Sequence, residues 1–135
     1  MADLLPIPKR IAIAVYQTIQ NGMALAAEIA DFLKENGVET VAWGPFHDDA
    51  LENQIGAGEF DLLIALGGDG TMLRAGNLSA PLGLPILGIN IGRVGFLTEI
   101  QRDEWREQLP KLLQGRYWLE ERMLLRAEHF RDGKI

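Results

Sequence analysis

The stretch "DLLIALGGDGTMLRAG", Asp61 to Gly76, decides the fold. An apolar run that is typical of a buried strand stops at two glycines, an aspartate, a third glycine and a threonine, and a helical pattern follows. Ligands of open α/β sheets bind beyond the carboxyl ends of the strands, which is where the turn "GGDGT", Gly67 to Thr71, is predicted to lie. Glycines let backbone N–H groups approach a phosphate, and the helix predicted to begin after Gly70 adds its positive N-terminal end.

Asp69 is the residue of this turn that a phosphate site alone does not explain, because a carboxylate repels the anion that the turn would attract. It could orient or deprotonate a hydroxyl group that attacks a phosphoryl group, or hold the magnesium ion that accompanies a nucleotide. A structural alternative is that Asp69 caps the following helix. The location between a buried strand and a helix favours a functional site. The turn is neither a Walker A loop nor the G-x-G-x-x-G turn of dinucleotide dehydrogenases.

Strand and helix patterns alternate along the rest of the chain. Strands are predicted at residues 10–16, 39–44, 61–67 and 85–90, and helices at 22–36, 48–58 and 103–114. The strands are apolar without alternation, as in a parallel sheet that helices cover on both sides. We therefore expect an open, mostly parallel, Rossmann-like sheet with helices on both faces.

Composition narrows the possible partners and location. The chain of 135 residues has a formal net charge of −6 and scattered basic residues, which argues against nucleic acid and anionic membrane surfaces as partners. It has no cysteine, which excludes disulfides and thiolate metal sites and fits a reducing compartment, so a cytoplasmic location is expected. No apolar run approaches the roughly 20 residues of a membrane helix.

A second glycine-rich stretch, "GINIGRVGFLTEI" from Gly88 to Ile100, includes the end of the fourth predicted strand. Its glycines form another turn, its arginine could contact a phosphate, and its phenylalanine offers a flat surface for a purine or nicotinamide ring. Alternatively, the phenylalanine packs under the sheet and the arginine is a solvated loop residue. The candidate site residues of this stretch are Asn90, Gly92, Arg93, Gly95 and Phe96.

The end of the chain has a different character. "YWLEERMLLRAEHFRDGKI", Tyr117 to Ile135, contains a strand-like stretch followed by an Asp132-Gly133 pair, which is a strong hairpin signal. We predict an α/β nucleotide-binding domain at residues 1–116, and at 117–135 the first strand and hairpin turn of a truncated all-β domain. An unpaired strand of this kind pairs readily with another chain, so a homo-oligomer is expected.

"GGDGTMLRA" followed by "NIGRVGFLTE" resembles the N-terminal domain of NAD kinases, and the tail resembles the start of that family's second, β-rich domain. The resemblance implies transfer of a phosphoryl group from ATP, or in some members polyphosphate, to the 2'-hydroxyl of the adenosine ribose of NAD, giving NADP. It also implies a divalent cation, Mg²⁺, with the ATP. "GGDG" alone is shared with lipid kinases of the diacylglycerol kinase superfamily, so a lipid kinase and a non-catalytic nucleotide-binding module remain alternatives.

The resemblance also implies roles for individual residues. Asp69 matches the catalytic aspartate that contacts the NAD ribose and activates its hydroxyl group. Gly70, Arg74 and Phe96 match residues on the NAD side of the pocket. The family's asparagine-glutamate motif would follow Ile135, so the 135-residue chain alone is expected to have little activity. The phosphate turn consists of Gly67, Gly68, Gly70 and Thr71.

Overall fold

The computed structural model describes residues 5–16, 21–46, 48–91 and 100–117. Within these ranges a single parallel sheet has the strand order β2-β1-β3-β4-β5. This confirms the predicted open α/β sheet. The strands are β1 (Arg10–Val15), β2 (Thr40–Pro45), β3 (Leu62–Gly67), β4 (Ile86–Asn90) and β5 (Ile100–Gln101).

Helices cover both faces of the sheet, as predicted. Helices α1 and α4 pack on one face, and α2 and α3 pack on the other. No helix in the described parts of the chain is both long and apolar enough to span a membrane. The helices are α1 (Gly22–Glu35), α2 (Asp49–Gly56), α3 (Asp69–Ser79) and α4 (Trp105–Leu112), with short 3-10 helices at Ala80–Leu82 and Arg102–Glu104.

The side chains of β1 divide between the two layers because neighbouring residues of a strand point to opposite faces. Ile13 and Val15 belong to the core beneath α1 and α4, whereas Ala12 and Ala14 face α2 and α3. All four are fully buried. Each buried isoleucine or valine contributes roughly 1.5–3 kcal/mol, so both layers stabilise this central strand mainly by the hydrophobic effect.

The predicted helix ends are largely confirmed. Gly37 and Gly115 follow α1 and α4 with φ values of +91° and +74°, the left-handed region that favours glycine at a helix stop. Asp48 caps α2 by accepting hydrogen bonds from the N–H groups of Ala50 at 2.8 Å and Leu51 at 3.2 Å. One boundary was wrong: α3 begins at Asp69, not after Gly70.

The order of the strands creates a crevice at one edge of the sheet. From β1 the chain passes through α1 to β2 on one side, and then through α2 to β3 on the other side of β1. Connections therefore diverge between β1 and β3, and such a switch point is the usual binding site of an open α/β sheet. The carboxyl end of β3 is the beginning of the "GGDGT" turn.

Candidate functional site

Two hydrogen bonds extend the sheet by one residue beyond β1 and β2. The N–H of Tyr16 donates to the carbonyl of Leu66 at 3.1 Å, and the N–H of Phe46 donates to the carbonyl of Val15 at 3.0 Å. In the register of the strands, these two residues come level with the last residues of β3, β4 and β5. We call this level of the sheet the carboxyl-edge row; it consists of Phe46, Tyr16, Gly67, Asn90 and Gln101.

Gly67 occupies the centre of the row, and helix α3 packs directly on it. A Cβ atom at Gly67 would lie 2.1 Å from Oγ1 of Thr71 and 2.6 Å from its Cβ, far inside van der Waals contact. Thr71 is itself buried, with 7% of its surface exposed. The structure thus gives Gly67 a packing role, because it lets the first turn of α3 rest on the end of β3. Its predicted contact with phosphate stays a prediction.

Gly68 and Gly70 differ from Gly67. A Cβ atom at either position would have no heavy atom within 4 Å beyond its immediate chain neighbours. The first intrahelical bond of α3 runs from the N–H of Met72 to the carbonyl of Gly68, at 3.0 Å. The N–H groups of Gly70 and Thr71 precede this bond, and the first N–H groups of a helix have no acceptor four residues earlier within the helix. Together with the positive end of the helix dipole, such groups form an anion-binding site.

Asp69 is the first residue of α3, on the side of the helix end where negative charge is favourable. The residue at the N-cap position is Gly68, so the alternative that Asp69 serves as the N-cap is wrong. Asp69 therefore follows the glycine that ends the extended backbone, at the carboxyl end of β3. The catalytic role predicted for Asp69 and the predicted binding of phosphate by this turn stay predictions.

Arg74 lies one turn further along α3 and contacts the elements beside it. Its Nη2 atom is 3.0 Å from Oε1 of Glu52 on α2 and donates to the carbonyl of Phe46 at 3.4 Å. The guanidinium group also lies over the Phe46 ring, 5.7 Å from its centroid. These contacts connect α3, α2 and the end of β2. They place a positive charge beside the carboxyl-edge row, whereas a contact of Arg74 with NAD stays a prediction.

Asn90 ends β4 and is buried, with 2% of its surface exposed. Its Nδ2 group donates to Oε1 of Gln101 at 3.2 Å, while the N–H of Gln101 donates to Oε1 of Glu104 at 3.1 Å. The Asn90 amide is thereby oriented by β5 and the 3-10 helix that follows it. Sequence reasoning missed Gln101, because a strand of two residues leaves no periodic pattern.

Tyr16 is a further residue of the row, and the sequence carried a signal for it. It is the aromatic residue with which the first apolar run, residues 10–16, ends. In the structure it neighbours Gly67 in the row, and 45% of its surface is exposed.

The other predicted site residues lie outside the described ranges. These are Gly92, Arg93, Gly95 and Phe96, and the predicted strand and hairpin after residue 117 is outside them as well. Among the described residues, no group of three or more histidine, cysteine, aspartate or glutamate side chains could hold a metal ion.

The fold and the row together define a domain of the open α/β class. The chain belongs to the ATP-NAD kinase N-terminal domain family, which it matches over residues 11–117. An NAD kinase of Ruminiclostridium cellulolyticum is 32% identical over 132 residues, which are 94% of this chain and 46% of that protein. An NAD kinase of Moorella thermoacetica is 60% identical over 72 residues, which are 53% of this chain and 23% of that protein.

The same fold occurs in a solved structure of yeast NADH kinase complexed with NADH. The TM-score is 0.61 at 20% sequence identity, and the match covers 81% of this chain and 37% of the yeast chain. The present chain thus spans less than half the length of these relatives.

Proposed function

We propose that this chain is the nucleotide-binding part of an NAD kinase, which transfers a phosphoryl group from ATP or polyphosphate to the 2'-hydroxyl of the adenosine ribose of NAD. The observation that carries the proposal is the position of Asp69. It begins α3 at the switch point, directly beside two glycines whose surroundings are open. Membership of the ATP-NAD kinase N-terminal domain family supports the choice of NAD as the acceptor.

In the proposed reaction Asp69 accepts a hydrogen bond from the ribose 2'-hydroxyl and takes its proton. The freed oxygen forms a bond to the terminal phosphorus of the donor, and the bond from that phosphorus to the bridging oxygen breaks, releasing ADP from ATP. The N–H groups at the start of α3 bind phosphate oxygens and hold the two substrates in line. A positioned base of this type accelerates proton transfer by roughly 10²- to 10⁴-fold.

A magnesium ion fits this site when it arrives with the nucleotide. Magnesium in nucleotide sites is held by one or two carboxylates together with substrate phosphates and water, and Asp69 is a carboxylate at the right edge of the sheet. When bound, the ion would neutralise charge on the phosphates of the donor. Asp69 would then be shared between the cation and the ribose, or would face one of them.

Further residues complete the proposed site. Gly70, Arg74 and Phe96 contact NAD, and Gly67, Gly68, Gly70 and Thr71 form the phosphate turn. For Arg74 this contact would compete with its ion pair to Glu52, in which 50% of the arginine side chain is exposed. Asn90, Gly92, Arg93 and Gly95 are the remaining residues assigned to the proposed site.

The division of labour between domains is also part of the proposal. Residues 1–116 form the nucleotide-binding domain, residues 117–135 begin a β-rich domain, and that second domain completes the NAD pocket. The protein is proposed to be a cytoplasmic homo-oligomer. The 135-residue chain alone should therefore phosphorylate NAD slowly, because a phosphoryl-transfer site depends on fixing both substrates.

The test is an assay of the natural full-length protein for NADP, with NAD, Mg²⁺ and either ATP or polyphosphate. We expect NADP formation that requires both NAD and a phosphoryl donor. Diacylglycerol in place of NAD serves as the control for a lipid kinase. Phosphorylation of the lipid without formation of NADP would contradict the proposal, as would binding of NAD and ATP without any turnover.

A further inference from the structure

Tyr16 stands at the centre of the binding edge without being part of either hydrophobic core. Its backbone is fixed by the hydrogen bond to Leu66, and in the row it lies between buried Phe46 and Gly67. Strands of a sheet are about 4.8 Å apart, so the Tyr16 backbone lies about that far from Gly67, the glycine against which the first turn of α3 packs. A molecule bound to the first turn of α3 therefore has this aromatic side chain as its neighbour.

The alternation of β1 places Tyr16 on the same face as the start of α3. Ala12 and Ala14 point to the layer of α2 and α3, and the next residue of that set is Tyr16. The two alanines are fully buried, whereas 45% of Tyr16 is exposed. The small side chains are thus covered by the helices, whereas the side chain of Tyr16, beyond the end of β1, is partly open to solvent.

An aromatic residue in this position has a chemical use that its neighbours do not provide. The N–H groups at the start of α3 can bind an anion, and Arg74 adds a positive charge beside Phe46. Neither offers a flat apolar surface. A nucleotide has both a charged phosphate group and a flat ring. It is long enough to place its phosphate at the start of α3 and its ring at the neighbouring strand.

We propose that the ring of Tyr16 stacks on the adenine of a bound nucleotide while the phosphates of that nucleotide occupy the first turn of α3. ATP and NAD both carry adenine, and the test separates them. The proposal rests on the proposed function, since that function supplies both nucleotides. It adds a binding residue from β1 to a site otherwise built from β3, α3 and β4.

The experiment measures binding by titration calorimetry with the natural full-length protein. The ligands are ATP, NAD and inorganic tripolyphosphate, which has the phosphates of ATP but no ring. The variants are Tyr16→Ala, Tyr16→Phe and Tyr16→Leu. Trp43→Ala is the matched control, because Trp43 is similarly exposed, at 40%, but pairs with Ile13 part-way along the edge strand β2, away from the carboxyl-edge row.

We expect Tyr16→Ala to weaken the binding of ATP or NAD by roughly 5- to 100-fold, the usual range for the loss of one base-stacking aromatic residue. Tyr16→Phe should retain affinity within about twofold, because stacking needs the ring and not the hydroxyl group. Tripolyphosphate should bind Tyr16→Ala as it binds the wild type. Weakening confined to ATP would assign the ring to the donor, and weakening confined to NAD would assign it to the acceptor.

If Tyr16→Ala lost affinity for ATP and for tripolyphosphate equally, the proposal would be overturned, since Tyr16 would then contact phosphate. Unchanged affinity of Tyr16→Ala for both nucleotides would overturn it as well. Thermal unfolding of each variant checks the fold, and Tyr16→Leu, which keeps apolar bulk, replaces Tyr16→Ala if the smaller side chain unfolds the protein. Because these are binding measurements, they decide the role of Tyr16 even if the wild type forms no NADP and the proposed function fails.

Discussion

Two aspartates flank strand β3, and their surroundings are opposite in kind. Asp61 precedes the strand at the amino edge of the sheet, where its carboxylate accepts hydrogen bonds from the N–H groups of Lys9 at 3.0 Å and Arg10 at 3.1 Å. Asp69 follows the strand at the carboxyl edge, at the positive end of α3 and beside the open positions of Gly68 and Gly70. The same residue type thus has a structural role at one edge and a proposed catalytic role at the other.

The contacts of Asp61 stabilise the ionised form of its carboxyl group. Burial on its own raises the pKa of this carboxyl group, but the hydrogen bonds from Lys9 and Arg10 and the nearby Arg10 guanidinium outweigh that effect, and the net pKa is lowered. Nη2 of Arg10 is 3.0 Å from Oδ1 of Asp61. These bonds join the starts of β1 and β3. Whether an aspartate beside a strand is structural or a candidate catalytic residue therefore depends on the edge of the parallel sheet at which it lies, more than on its residue type.

The largest expected effect is on turnover in Asp69→Asn. The amide cannot take a proton from the ribose, so turnover of the full-length protein should fall by roughly 10²-fold or more, while the thermal unfolding midpoint stays near that of the wild type. Asp61→Asn is the matched control, because it makes the same chemical change at the other edge. Undiminished turnover in Asp69→Asn would refute the assignment of the base.

A second prediction concerns stability at Gly67. Gly67→Ala should lower the free energy of unfolding by about 1–3 kcal/mol, the usual cost of overpacking, because the added methyl group collides with Thr71. Chemical denaturation measures this. Gly68→Ala is the control and should change stability by less than about 0.5 kcal/mol. Equal destabilisation by both substitutions would show that the packing of α3 on Gly67 is not special.

Gly68→Ala also tests whether the same turn binds the phosphoryl donor. The backbone of Gly68 is extended, with φ −123° and ψ −155°, and a Cβ atom there is unobstructed, so alanine fits without backbone strain. The methyl group should still hinder a phosphate, and we expect roughly tenfold weaker binding of the donor, comparable to the loss of one hydrogen bond to a charged group. Titration calorimetry with ATP measures it. Wild-type affinity would place the phosphates elsewhere.

The smallest effect is expected for Asp61→Asn. The side chains of Arg10 and Asp61 are 48% and 36% exposed, so solvent screens the pair and the loss of stability at pH 7 should stay below about 1 kcal/mol. Since folding lowers the pKa of Asp61 from its usual value of 3.8, its contribution is present above that value and is lost as the pH falls through the folded pKa. Unfolding of wild type and variant at pH 7 and pH 3 tests this. A difference in stability that grows towards acid would contradict it.

Much of the fold was predictable, because local patterns determine it. Apolar runs without alternation indicated β1 to β4, and the helical spacing indicated the helix layers. The start of α3 was wrong because a glycine-rich turn carries no helical periodicity. Strand β5 was missed because its two residues are stabilised by pairing with β4 and not by their own pattern.

The site was predictable only in part, for a different reason. Asp69 and its glycines form a contiguous motif, so their location could be inferred from the chain. The carboxyl-edge row depends on the register between strands that are distant in sequence, and no local pattern reports that register. This is why Tyr16 and Gln101 were recognised only in the structure.

The measurement that tests the difference between the two edges most directly is a titration of the ¹⁵N-labelled protein with ATP and Mg²⁺, followed by NMR of the backbone amides. If ligand binds at the carboxyl edge, the amide signals of Tyr16, Gly68 and Gly70 shift with increasing nucleotide, whereas those of Lys9 and Arg10, bonded to Asp61, stay in place. Shifts concentrated at Lys9 and Arg10, with the glycine turn unchanged, would contradict the account.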